Sequence, residues 1–227
     1  MAVALSFYRT TIGKKVVMAV TGLILVGFII AHMLGNLKAF DSPEHLNEYG
    51  TFLREVGYPL LGPEQALWMV RIVLLASIIL HITAATQLTI LDRQSRPERY
   101  VQFRPVQQSY ASRTMRWGGI IILLFIIYHI LHFTTGQAHP DFREGDVYHN
   151  LVVGFQNPLV VLFYIVAVGA LMFHMYHGIW SMFQTLGINN VRWNRLLRTL
   201  SAVISIGVFI GFISVPIAVQ IGCLTLQ

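Results

Sequence analysis

Leu171-Met-Phe-His-Met-Tyr-His-Gly-Ile-Trp-Ser181 places two histidines, His174 and His177, deep inside a long apolar segment. A titratable ring in hydrocarbon is costly, so an intramembrane histidine reads as functional by default. Three other apolar segments carry the same residue type: His32, His81, and the pair His129/His132. Each of four apolar segments thus offers an imidazole to the interior of a bundle.

The surrounding composition sets the class. The 227 residues include only 11% charged side chains, and the mean hydropathy is +0.62. That balance belongs to a membrane protein and leaves no stretch for a soluble catalytic domain. Cys223 is the single cysteine, which excludes an internal disulfide framework or a Cys-ligated cluster. The first apolar run is long and lacks a small-residue cleavage site, so it is expected to be retained rather than removed as a signal peptide.

Five runs are long enough to cross a bilayer, which takes roughly 20 residues: 16–37, 66–91, 116–136, 158–185 and 196–221. The expected fold is therefore all-α, a single transmembrane domain of five helices over 1–227. Pro158 suits the first turn of the fourth span, Gly187 its end, and Pro216 should bend the fifth. The connections 38–65 and 137–157 read as polar loops, and 92–115 as a polar, basic one.

Basic residues are unevenly shared. Arg9, Lys14, Lys15, Arg93, Arg96, Arg99, Arg104, Arg113, Arg116, Arg192, Arg195 and Arg198 fall on the N-terminal side. Only Lys38, Arg54 and Arg143 fall in the opposite loops. The positive-inside rule then puts the N-terminus in the cytoplasm and the C-terminus outside, in a multi-pass protein of the cell inner membrane. The net charge of +6 is explained by topology, anionic lipid and a soluble partner, and calls for no nucleic acid.

A rise of 1.5 Å per residue sorts the histidines by depth. Measured from the cytoplasmic side, His32 and His129 lie roughly 24 and 20 Å in, His81 and His174 roughly 15 and 16 Å. Two imidazoles from different helices at one depth suit axial ligation of a haem, and two layers suit two haems. Zinc would want three or four N/S ligands and acidic partners, and the spans hold no Asp or Glu. The plain alternative is a histidine hydrogen-bonded to a neighbouring helix. His129/His132 and His174/His177 are three apart and share a helix side, so spacing does not choose between the members of each pair. Gly35 and Gly178 would leave room for a flat macrocycle. Haem propionates would draw on Lys15, Arg93, Arg113 or Arg116 at the inner end, and on Arg71 at the outer end. His132 and His177 are further candidate neighbours of haem or quinone. A quinone headgroup could meet His45, His132 or Arg71 on one side, and Tyr8, Arg9 or Trp180 on the other.

The chain resembles the single-chain di-haem cytochrome b anchor of succinate:quinone oxidoreductases, the succinate dehydrogenases and fumarate reductases (respiratory complex II). The likeness runs over nearly the whole chain: five spans, with histidines in the first four. Local motifs agree, namely Thr21-Gly22-Leu23 before His32, Phe125-Ile126-Ile127-Tyr128 before His129, and Phe163-Tyr164-Ile165-Val166 before His174. His177-Gly178-Ile179-Trp180-Ser181 follows that ligand. The resemblance implies His129 over His132 and His174 over His177. It pairs His81 with His174 for a proximal haem b and His32 with His129 for a distal one. It further implies a flavoprotein subunit and an iron–sulfur subunit on the cytoplasmic side, and a quinone, menaquinone, as substrate. Met172 stands where some members carry a glutamate tied to proton movement, so a transmembrane proton path of that kind is not expected. A di-haem cytochrome b of a hydrogenase or formate dehydrogenase, or a histidine-bearing transporter, is the alternative reading.

Overall fold

A computed structural model describes residues 7–95, 110–188 and 190–226, the side chains of 110–114 and 191 excepted. Its helices are α1 (Thr11–Leu37), α2 (Pro43–Glu55), α3 (Gln65–Gln94), α4 (Tyr110–Phe133), α5 (Val147–Gly154), α6 (Pro158–Thr185) and α7 (Val191–Gln220). Five of these, α1, α3, α4, α6 and α7, are long and apolar enough to cross a membrane. The fold is all-α among the described residues.

Capping explains where the spans begin. Thr10 accepts the amide of Gly13, so α1 starts before the charged pair Lys14–Lys15 instead of after it. Lys14 is buried, its ammonium donating to the carbonyls of Tyr8 and Arg9. α6 occupies the span expected from the sequence: Asn157 caps Leu159, Pro158 takes the first position, and Gly187 (φ +83°) lies just beyond the end. Asn190 caps α7 at Arg192, five residues before the expected start. α4 ends at Phe133, three residues short of the expected Gly136, which instead makes a turn with φ +74°. Pro216 lies inside α7.

α1 and α6 form the centre. α3 packs on α1, α4 on α6, and α7 against α6 and α1. Close approach depends on small residues, as expected where lipid removes the hydrophobic drive between helices. Gly211 of α7 receives the side chain of Met33. Met175, Ile179 and Val208 are buried between these helices, with Ile30, Met33 and Phe212 around them. The outward faces of the spans are apolar and exposed, for example Leu23, Leu75, Leu124, Leu162 and Val203.

A second, larger core closes the end opposite the N-terminus. The connections expected as polar loops hold α2 and α5, which pack on each other. Leu46, Tyr148, Leu151, Val152 and Phe155 are buried there against Val161, Tyr164, Val215 and Leu224. Asn47 ties the two helices, donating to Asp146 (3.0 Å) and accepting from the amide of Tyr148 (3.0 Å). Asp146 also caps α5 at His149. Partial burial alone would raise this carboxyl. The amides of His149 and Asn47 and the charges of His149 and Arg143 outweigh it and hold the group below its ordinary value.

Candidate functional site

The structure brings the four single-span histidines together as two pairs. His32 of α1 meets His129 of α4 with ring centroids 5.7 Å apart and planes at 83°. His81 of α3 meets His174 of α6 at 6.4 Å and 55°. Within each pair the rings come from helices that do not follow one another in the chain, so bundle packing and not local sequence sets the spacing.

Two glycines measure the separation of the layers. A side chain on Gly22 of α1 would lie 3.4 Å from His81, and one on Gly119 of α4 would lie 3.8 Å from His174. His32 follows Gly22 by ten residues and His129 follows Gly119 by ten. Both helices therefore place the two pairs about 15 Å apart in depth. That is half of a hydrocarbon core about 30 Å thick.

Hydrogen bonds orient one ring in each pair. His81 Nδ1 faces the Met18 carbonyl (3.1 Å) and the Thr21 hydroxyl (3.2 Å), both on α1. Thr21 itself donates to the carbonyl of Val17 (2.7 Å), so His81 Nδ1 carries the proton toward Met18 and leaves Nε2 bare. His129 Nδ1 lies 3.4 Å from the Tyr164 hydroxyl. His174 Nδ1 is buried with no hydrogen-bond partner among the described residues. His32 stacks on Phe28 (5.3 Å, 14°).

This donor set fits a haem held from both sides. Metal–imidazole bonds are about 2 Å long, which puts two rings on opposite sides of one ion with centroids roughly 6 Å apart. Both pairs have that spacing. Outer-shell acceptors on Nδ1 are what ligating imidazoles normally have. Among the described residues no three His, Cys, Asp or Glu side chains converge, so the imidazoles come in twos and not as a tetrahedral set. Gly178 has open space where a Cβ would point. Gly35 does not serve as expected: the ring of Tyr49 from α2 fills that space, 2.8 Å from the Cβ position.

The remaining candidates separate. His132 is 1% exposed and bonds the Tyr164 hydroxyl at 3.0 Å, so it is turned toward protein. His177 is half-buried and meets Trp180 edge-on at 6.0 Å. Trp180 donates to Asn194 and lies under the Arg198 guanidinium. Arg71 stands ten residues before His81 on α3, which puts it near the level of the outer pair, but its guanidinium lies over Trp68 at 4.9 Å. Lys15, Arg93 and Arg116 are exposed. The side chain of Arg113 lies outside the described residues. Tyr8, at the N-terminal end, donates to Gln87 of α3 (3.2 Å). The residues missed by sequence reasoning are Met18, Thr21 and Tyr164, the partners of the paired rings. Thr21 and Tyr164 were visible only as parts of motifs, because their roles depend on helix register.

The model of the succinate dehydrogenase/fumarate reductase transmembrane subunit family matches residues 93–214, just over half of the chain. The chain belongs to that family. It is thus a multi-pass membrane subunit of an oxidoreductase complex, and membership implies association with the flavoprotein and iron–sulfur subunits. The matched segment contains His129 and His174, while His32 and His81 lie before it. The chain matches no curated protein and no solved structure.

Proposed function

We propose that this subunit is the di-haem cytochrome b anchor of its complex. It holds one haem b between His81 and His174 and a second between His32 and His129, and it carries electrons between the iron–sulfur subunit and a membrane quinone. The observation that carries the reading is the paired geometry: two imidazole couples, each spaced for a shared metal, on two levels of one bundle. When bound, haem supplies reversible one-electron iron chemistry, which no side chain in the spans offers.

The chain's own residues do the holding. α1 and α3 bring Met18 and Thr21 against the back of His81, fixing which nitrogen is free. α4 and α6 do the same for His129 through Tyr164. Apolar side chains of the spans keep water from the rings. Under the positive-inside rule the His81/His174 level is the one nearer the cytoplasm, and with it the soluble subunits.

Haem quantitation in purified His32→Ala, His81→Ala, His129→Ala and His174→Ala tests this. Each variant is expected to retain one haem or to fail to assemble. Retention of both in any of the four removes that residue from the site.

A further inference from the structure

We infer that Tyr164 and His132 form a positioning relay behind His129, so that the electronic character of the outer axial ligand is set by a side-chain chain and not by backbone. The inference rests on the haem reading above. The Tyr164 hydroxyl sits between two ring nitrogens, 3.4 Å from His129 Nδ1 and 3.0 Å from His132 Nδ1. A phenol has one proton to give. One of the two nitrogens must therefore carry its own proton and the other must accept. If His129 presents Nε2 to a metal, its proton is on Nδ1. The direction then follows: His129 Nδ1–H donates to Tyr164 Oη, Tyr164 O–H donates to His132 Nδ1, and His132 keeps its proton on Nε2.

The last member is fixed in place. His132 is fully buried, with Phe133 at 4.2 Å, His139 at 5.2 Å and Tyr128 at 5.3 Å between ring centroids. Gly154 of α5 backs the ring, since a Cβ there would sit 3.1 Å from it. The inner pair is built differently: His81 Nδ1 faces the Met18 carbonyl, an acceptor that no side-chain substitution at that position removes. The Nδ1 partner of His129 is a side chain that mutation can delete, whereas His81 keeps the Met18 carbonyl even when the Thr21 hydroxyl is removed. Loss of that acceptor weakens electron donation from the imidazole and raises the potential of its metal.

Redox titration of the purified haem-loaded chain, followed by absorbance, reads this out together with haem loss to apomyoglobin. Tyr164→Phe is expected to raise the midpoint of the outer centre, leave the inner one in place, and weaken retention of the outer haem by about 10–100-fold. His132→Leu, which leaves the Tyr164 hydroxyl in place but removes its acceptor, is expected to move the same midpoint in the same direction. His132→Asn, whose amide oxygen can accept from the phenol, is expected to restore it. A role in packing alone requires His132→Leu and His132→Asn to behave alike. That result, or unchanged midpoints in Tyr164→Phe, overturns the relay. If Tyr164→Phe does not assemble, the His132 variants decide. Wild-type protein without haem overturns the relay and the proposed function together; wild-type protein with two haems and silent variants overturns the relay alone.

Discussion

Gly22 and Gly119 occupy equivalent places, each beside one ring of the inner pair. A larger side chain at Gly22 would press on His81, whose Nδ1 is already tied to α1. Gly22→Leu is therefore expected to lower haem content from two per chain to one, with the outer centre spectrally unchanged. Loss of both, or of neither, would contradict the assignment of levels. At this scale the sequence was readable in part. Histidines in hydrocarbon announce themselves by cost, and their grouping by depth followed from helix rise. The partners on the far side of each ring did not, because Tyr164 and Thr21 are ordinary residues until α4 meets α6 and α3 meets α1. Gly35 shows the same limit: a space for a macrocycle was expected, and Tyr49 fills it.

α2 and α5 carry the clearest discrepancy between expectation and structure. Their segments are rich in proline and acid, which reads as loop. Yet Leu46 and the run Tyr148, Leu151, Val152 and Phe155 fall where short helices can bury them together. Asp146 both caps α5 and holds Asn47. Asp146→Ala should destabilise this cap by about 1–2 kcal/mol, as for other lost N-caps, seen as faster limited proteolysis in 38–65 and 137–157. The sign of the pH effect follows from the lowered carboxyl pKa. The contribution is fully present above the ordinary aspartate value, about 3.9, and is lost as pH falls through the lower folded value. Melting of the wild type should therefore drop on acidification below about pH 4, and Asp146→Asn should flatten that part of the profile. An unchanged acid limb in the variant would show that Asp146 does not contribute it.

The whole molecule was the most legible scale. Long apolar runs have one solution in lipid, because every backbone amide must be satisfied within its own helix. Five such runs became five helices of spanning length. Their ends moved by a few residues where a cap or a buried lysine extended a helix past charges. Orientation is open to a direct check, since Cys223 is the only thiol and is exposed beyond the end of α7. In intact cells a membrane-impermeant maleimide should label Cys223 from outside; labelling only after the membrane is opened would reverse the topology.

In the proposed function two separate imidazole couples each clasp one iron. A low-temperature electron paramagnetic resonance spectrum of the oxidised, purified chain, taken with its haem-to-protein ratio, bears on it most directly. Two low-spin ferric signals of bis-imidazole type at two haems per chain are the result expected. A single signal at one haem per chain, a high-spin signal showing an open axial position, or no haem signal would contradict it.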